Sequence, residues 1–544
     1  MSDSTWWRGA VIYQIYPRSF LDTNADGVGD LPGVIERLDY IASLGVDAIW
    51  ISPFFKSPMA DFGYDIADYR AVDPLFGTMD DFERLLDKAH GLGLKVMIDQ
   101  VLSHTSVAHD WFRESRQNAT NPKADWYVWA DAKADGTPPN NWMSIFGGVA
   151  WRWEPRRRQY FLHNFLSAQP DLNFHNPHVR QAALDNVQFW LDKGVDAFRL
   201  DAINFCFHDR ELRDNPPKPV DQRVGRGFSP DNPYAYQYHY FNNTQPENLA
   251  FLEELRALID RYPGTATLGE ISSEDSLATM ADYTRDKRLH MSYSFELLGD
   301  DFSAAYIRTT VAALDAKMID GWPCWAISNH DVKRVLTRWG GDAPTPALAK
   351  MLTVLVASLR GTVCIYQGEE LGLPEAELHF NQLRDPYGIA FWPNFKGRDG
   401  CRTPMPWTPV NGAGFSAAKP WLPIPPGHRE IAVSRQQADP ESVLNGFRAF
   451  MAWRKGNPAL RWGDIHFIDA PEPLLLFTRT HAAGSLLVAI NLGAEPVSLP
   501  IPAQTPELHP IHCPGPSNGR IEQRMLDLPG YAVIYAEIVA SATA

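Results

Sequence analysis

The stretch Val195-Asp196-Ala197-Phe198-Arg199-Leu200-Asp201-Ala202-Ile203-Asn204 decides the fold. It reads as a β-strand, apolar with Val, Phe and Ile, that delivers two charges at its C-terminal end. Arg199 and Asp201 stand two residues apart, so the strand period puts both side chains on one face. Burying an unpaired arginine or aspartate is costly. The pair is therefore either a structural salt bridge at a sheet edge or a pair of groups with a task. What decides between these is whether other strands end the same way.

Outward from this stretch, short apolar runs alternate with amphipathic ones. Strands are expected at 11–16, 46–52, 94–101, 266–271, 289–295, 322–328 and 362–366, besides the opening one. Helical spacing runs over 30–44, 78–92, 177–193, 248–262, 276–286, 304–318, 348–359 and 442–454. Alternation of this kind demands a parallel sheet. Eight such units without a glycine-rich phosphate turn favour an α/β fold closed as a (β/α)8 TIM barrel over a doubly wound sheet.

Two insertions and a tail break the rhythm. Residues 104–170 follow the third strand and carry Trp111, Trp126, Trp129, Trp142, Trp151 and Trp153, as a lid subdomain walling the barrel mouth would. Residues 368–437, rich in Pro, Gly and Trp, follow the eighth strand. The barrel is thus expected over 1–103 and 171–463. From 464 to 544 short alternating strands separated by Gly and Pro turns indicate a small antiparallel β-sandwich.

Bulk properties narrow the function. The chain has 544 residues, 45% hydrophobic and 12% aromatic, with a net charge of −15. Its pI near 5.5 argues against nucleic acid or anionic membrane surfaces as partners. Five cysteines, odd in number and without a Cys-x-x-Cys or Cys/His cluster, point to buried thiols in a reducing compartment. No signal-like N-terminus and no apolar run of about 18 residues is present, so a cytoplasmic protein is expected.

The opening pattern does recur. Asp99 ends the third strand and His104 follows it, Glu270 ends the fifth, and His330-Asp331 end the seventh. In a barrel the strand C-termini share one mouth, and these charges exceed what barrel stability requires. Carboxylates without a nucleophilic cysteine, phosphate loop or dinucleotide motif suit acid/base and nucleophilic work on a neutral substrate. Aromatic walls suit sugar rings, so the reaction class is glycoside chemistry with two principal carboxylates.

At these residues the chain resembles glycoside hydrolase family 13, the α-amylase family, in its α-glucosidase and oligo-1,6-glucosidase branch. The resemblance rests on AVIYQIYPRSF, DQVLSH, QPDLNF, GVDAFRLDAINF, GEI, SNHD and GRDGCRTPMPW, and runs nearly end to end. It implies Asp201 as nucleophile, Glu270 as general acid/base and Asp331 as a third carboxylate that binds and distorts the sugar. It further implies Arg199 orienting Asp201, and His104 and His330 binding hydroxyls of the transferred glucose. Asp61 and Tyr64 would grip and stack on that glucose, and Arg398 would close a blind pocket over it. Phe146 and Phe165, with Phe205, are candidates for an apolar rim. Ala202 would edge the acceptor subsite, where a Val tends to stand in oligo-1,6-glucosidases and a smaller or more polar residue in α-1,4-acting relatives.

The implied activity is retaining, exo-acting release of α-glucose from short α-1,4-linked glucosides, with glucosyl transfer to alcohol acceptors. An oligo-1,6-glucosidase or a sucrose-acting or isomerising relative is the alternative, and a binding protein of the same fold is the rival from another class. Such an enzyme needs no cofactor for its chemistry and works as a monomer or homodimer. Ser103 stands where the family motif usually carries the Asn that helps hold calcium in amylases, which speaks against that site here. A different loop, Asp22-Thr23-Asn24-Ala25-Asp26-Gly27-Val28-Gly29-Asp30, spaces oxygen ligands at alternate residues. The resemblance supports a structural Ca2+ or Mg2+ there, on Asp22, Asn24, Asp26, Asp30 and the Val28 carbonyl.

Overall fold

The computed structural model describes residues 4–223, 231–341, 344–502 and 505–539. Eight parallel strands close into a barrel: β1 (Val11–Ile15), β2 (Ala48–Ile51), β3 (Lys95–Val101), β4 (Ala197–Asp201), β5 (Ala266–Glu270), β6 (Met291–Ser294), β7 (Trp322–Ala326) and β8 (Thr362–Tyr366). Neighbours follow chain order around the ring, and β1 closes it by pairing with both β2 and β8. The helices that pack outside are α1 (Leu31–Ser43), α2 (Met79–Gly91), α3 (Pro177–Asp192), α4 (Glu247–Ile259), α5 (Ser276–Thr284), α6 (Ala304–Lys317), α7 (Pro346–Ser358) and α8 (Val443–Lys455).

The helix starts follow from local chemistry. Asp30 caps α1 by accepting the Gly33 N–H at 2.7 Å, and Thr78 forms a reciprocal capping box with Asp81 at α2. Asn176, Asp275, Ser303, Thr345 and Ser442 cap α3, α5, α6, α7 and α8 in the same way. Inside the barrel, Ile12, Trp50, Met97, Leu268, Met291, Tyr293 and Cys324 fill the interior from alternate strand positions. A larger apolar layer of Leu, Ile, Val and Phe lies between strands and helices. All five cysteines are buried and free, as expected.

The first insertion is a small subdomain. It holds a helix, Asp110–Ser115, and a three-stranded sheet of Trp129–Ala130, Gln159–Leu162 and Trp151–Glu154, with its own core around Trp142 and Trp151. The second is built of short turns and helices. A third long βα loop, 202–246 between β4 and α4, was not anticipated as an insertion. It is proline- and tyrosine-rich, lacks either hydrophobic period, and contributes 3-10 turns at Ile203–Phe205 and Pro233–Tyr236.

Beyond α8 the tail is a C-terminal antiparallel β domain. A five-stranded sheet packs on a three-stranded one made of Val497–Pro500, Met525–Leu528 and Arg520–Glu522. Arg479, fully buried, joins this domain to the barrel by donating to the carbonyls of Ser358 at 2.6 Å and Leu359 at 3.0 Å, just past α7. Among the described residues no helix is long and apolar enough to cross a membrane.

Candidate active site

The C-terminal ends of β3, β4 and β5 bring three carboxyls onto one buried guanidinium. Arg199, 1% exposed, donates through Nη1 to Asp99 at 2.8 Å and to Asp201 at 2.6 Å, while Nη2 is paired with Glu270. Its guanidinium lies 5.0 Å from the centre of the Trp50 ring. Asp99 also accepts from the Trp50 indole N–H and the Tyr64 hydroxyl, each at 3.1 Å. Glu270 accepts the Ala202 N–H at 3.0 Å.

One cation cannot keep three buried carboxyls fully ionised. Burial, resisted by Arg199, raises Asp99 to about 6, Asp201 to about 7 and Glu270 to about 8. The cluster therefore retains a proton near neutrality, shared among coupled carboxyls of which Glu270 is raised furthest.

Opposite this cluster stands Asp331. Burial opposes its charge, but the Arg398 and Arg402 guanidiniums beside it outweigh burial and hold the carboxyl well below the usual range. Arg402 donates to it at 2.7 Å and Arg398 at 3.2 Å. Arg398 also meets Asp61 at 2.8 Å and Asp385 at 2.8 Å, so one guanidinium links three carboxylates from separate loops. Asp385 caps the short helix Pro386–Ala390 and accepts the Arg398 N–H at 2.7 Å.

The other expected residues assemble around this frame. A cavity of about 580 Å³ is lined by Asp61, Tyr64, His104, Phe146, Phe165, Asp201, Ala202, Glu270, Asp331 and Arg398. Phe165 packs against His104 at 5.0 Å and Phe205 at 5.3 Å. Phe146 lies beneath the Arg398 guanidinium at 5.1 Å. The Ser103 hydroxyl is 3.0 Å from His104 Nδ1, which leaves Nε2–H to donate to the Tyr64 carbonyl at 3.1 Å. Burial lowers His104 to about 4, so the ring is neutral.

Two of the expected binding residues lie behind the wall. Arg199 reaches the cavity through its carboxylates. His330, fully buried, has Nδ1 at 2.7 Å from the Gln14 amide and Nε2 on the Tyr64 hydroxyl, with its ring nearly parallel to that of Tyr64 at 6°. Burial lowers His330 to about 3, so it orients Tyr64 as a neutral ring.

Residue-level reasoning missed several neighbours. Arg402 was present in the GRDGCR motif, four residues past Arg398, and Gln169 in QPDLNF. Gln169 donates to Asp61 at 3.2 Å. Asp385, Tyr387, Tyr234 and His239 carried no motif at all.

The 22–30 loop is wound by its own side chains. Asp22, Asn24 and Asp26 each accept the backbone N–H two residues on, at 3.1, 3.0 and 2.8 Å. Asp30 accepts from Thr23 besides capping α1. The donor set is all oxygen, the kind calcium and magnesium take. Among the described residues, no group of three or more His, Cys, Asp or Glu gathers as a metal-holding cluster.

Comparison with known proteins agrees with this geometry. The model of the alpha amylase catalytic domain matches residues 14–463, and a domain of unknown function, DUF3459, matches 461–535. The crystal structure of an alpha-glucosyl transfer enzyme superposes with a TM-score of 0.97 at 70% identity, covering 98% of this chain and 99% of that one. A "Probable alpha-glucosidase" of Rhizobium meliloti (strain 1021) is 53% identical over 98% of each chain. An oligo-1,6-glucosidase of Heyndrickxia coagulans is 38% identical over 91% of this chain and 94% of its own. The chain belongs to the α-amylase family, glycoside hydrolase family 13, as a glycoside hydrolase of the α-glucosidase and oligo-1,6-glucosidase branch.

Asp385 tests how far the Arg398 network matters, since it holds Arg398 without lining the cavity. Asp385→Ala should cost about 1.5–3 kcal/mol, the worth of hydrogen bonds to a charged group, or roughly ten- to a hundredfold in kcat/KM. Steady-state kinetics on a short glucoside, with circular dichroism to verify folding, would check it. An unchanged kcat/KM would show that Arg398 needs no such anchor.

Proposed function

We propose that the enzyme is a retaining, exo-acting α-glucosidase that releases α-glucose from short α-1,4-linked glucosides and transfers glucosyl groups to alcohol acceptors. The observation that carries this is Asp201 and Glu270 resting on adjacent nitrogens of one guanidinium. That shared seat supports the short carboxyl separation of a double displacement, as opposed to the wide one of inversion.

In this mechanism the ionised form of Asp201, favoured by Arg199, attacks the anomeric carbon. The glycosidic C–O bond breaks and its oxygen takes the proton from Glu270. Water or an alcohol then attacks the same carbon. The ester bond to Asp201 breaks and the incoming oxygen returns its proton to Glu270. Asp331, ionised between two arginines, accepts from the sugar hydroxyls, and Tyr64 and His104 complete the cradle. Asp61 and Arg398 close the far end of the cavity over one terminal glucose, which supports exo action. Rapid loss of starch viscosity, the mark of internal cleavage, would overturn that assignment.

Asp201→Asn should abolish turnover without unfolding, and Glu270→Gln should accumulate a glucosyl-enzyme from activated donors, seen by mass spectrometry. With pH, kcat/KM should rise as Asp201 ionises through about 7 and fall as Glu270 loses its proton above about 8. In Glu270→Gln, assayed on an activated donor, the alkaline fall should vanish. A fall that persists would assign the proton to another group.

Linkage preference turns on Ala202, which lines the cavity at φ +40°, ψ +45° immediately after the nucleophile. Its small side chain leaves room for the second ring of an α-1,4 glucoside. The oligo-1,6-glucosidase relative favours the second reading, action on α-1,6 links. A pocket difference of one or two methyl groups discriminates by about 1–3 kcal/mol, so maltose should exceed isomaltose by roughly ten- to a few hundredfold. Ala202→Val should narrow that gap. It should also lower thermal stability, because a β-branched residue in left-handed backbone costs about 1–3 kcal/mol. Equal kcat/KM on both disaccharides in the wild type would remove Ala202 as the determinant. Product analysis on sucrose separates hydrolysis from isomerisation.

The 22–30 loop is assigned a structural Ca2+ or Mg2+, on the all-oxygen donors of Asp22, Asn24, Asp26, Asp30 and the Val28 carbonyl. Chelation should lower the melting temperature and added Ca2+ should restore it. An unchanged melting temperature would leave the loop self-supported.

A further inference from the structure

We propose that Glu274 is a positioning residue for the acceptor, one that fixes the outer wall of the cavity and so sets how the glucosyl group is divided between water and a larger alcohol. The inference rests on the transfer reading above and deepens it.

Glu274 lies four residues past Glu270, in the loop between β5 and α5, and lines the cavity. Both of its oxygens are spent on a different loop. Oε1 accepts the His239 N–H at 3.0 Å, and Oε2 pairs with Lys218 Nζ at 2.8 Å. Both partners belong to the unanticipated 202–246 loop, and both line the cavity. His239 in turn stacks face to face on Tyr234, ring centres 3.6 Å apart, and is held by the Tyr234 carbonyl at 2.8 Å and Asn242 at 3.1 Å. The carboxylate thereby fixes the His239 backbone, and with it the position of an aromatic wall whose ring planes are set by Tyr234 and Asn242.

The other end of that wall is anchored separately. Asn232, fully buried, donates to the Ile145 carbonyl at 2.7 Å and to the Tyr387 hydroxyl at 3.0 Å. The wall thus hangs between both insertions at one end and Glu274 at the other. It lies on the acceptor side, because Asp61 and Arg398 close the glucose end and β5 delivers the acid that the leaving or incoming oxygen must meet. The Lys218–Glu274 pair is 17% and 23% exposed, so solvent screens it little and it ties the two loops together.

With the wall in place, a ring-bearing alcohol can rest on Tyr234 and excess water is kept from the glucosyl-enzyme. Without it, water gains. In either case the incoming O–H oxygen bonds to the anomeric carbon, the bond to Asp201 breaks, and the proton goes to Glu270.

The experiment uses α-glucosyl fluoride, whose leaving group is too small to touch the wall, with methanol or benzyl alcohol as acceptor. Glu274→Ala should leave fluoride release and the KM for methanol near wild type. The KM for benzyl alcohol should rise roughly tenfold, the worth of one or two hydrogen bonds, with glucose formed in its place. Glu274→Gln, which keeps an acceptor for the His239 N–H, should fall between. An unchanged benzyl alcohol KM overturns the proposal, as does an equal loss on both alcohols or a parallel fall in fluoride release. A wild-type enzyme that gives only glucose with either alcohol overturns the transfer reading itself, an outcome distinct from a variant that fails to differ.

Discussion

The site depends on one constraint: Arg199 is a single buried cation shared by Asp99, Asp201 and Glu270. Full ionisation would leave an uncompensated negative charge in a region that water barely reaches, and an unpaired buried charge is among the costliest defects a fold can carry. The cluster resolves this by keeping a proton. Asp99 is satisfied by Trp50 and Tyr64 and does not line the cavity, so it serves as the counterweight that makes the sharing uneven. Asp201 and Glu270 are both raised by this crowding, Glu270 further, although both are carboxyls at neighbouring strand ends.

A second cation answers the first across the cavity. Arg398 sits among Asp61, Asp331 and Asp385, and Arg402 adds a further positive charge. Here two guanidiniums serve three carboxylates, and Asp331 is held well below the usual range where Glu270 is raised. Between the two clusters the cavity runs from a carboxyl held well below the usual range to one raised above it. Its side walls are aromatic and its histidines neutral, so the two arginine clusters set the polarity.

Much of this was legible because a barrel maps sequence onto space simply. A charge at a strand's C-terminal end must face the common mouth, so Asp99, Arg199, Asp201, Glu270 and Asp331 could be gathered before any coordinates. The helices were legible for the same local reason: Asp30 and Thr78 sit where orphan N–H groups need acceptors. What escaped lies in loops. Asp385 matters only because Arg398 folds back on it, and Asn232 and Glu274 only because the 202–246 loop spans the mouth. Neither the strand nor the helix period extends into such segments. The 22–30 stretch shows the converse limit, since alternating oxygens serve backbone turns and cations alike.

The wiring of Arg398 has a consequence for how the molecule is made. Asp61 and Arg398 are separated by 337 positions in the chain, Asp331 comes from still another loop, and only Asp385 is a near neighbour of Arg398 in the chain. Contacts so remote in sequence form only after the intervening chain has been drawn together, which is entropically slow. The Arg398 end of the cavity can exist only once β1 has met β8 and the second insertion has settled over the rim. Until then these charges stay hydrated and bind nothing. Ring closure and catalytic competence therefore arrive together, late in folding, and a partly assembled barrel has no functioning half-site to expose.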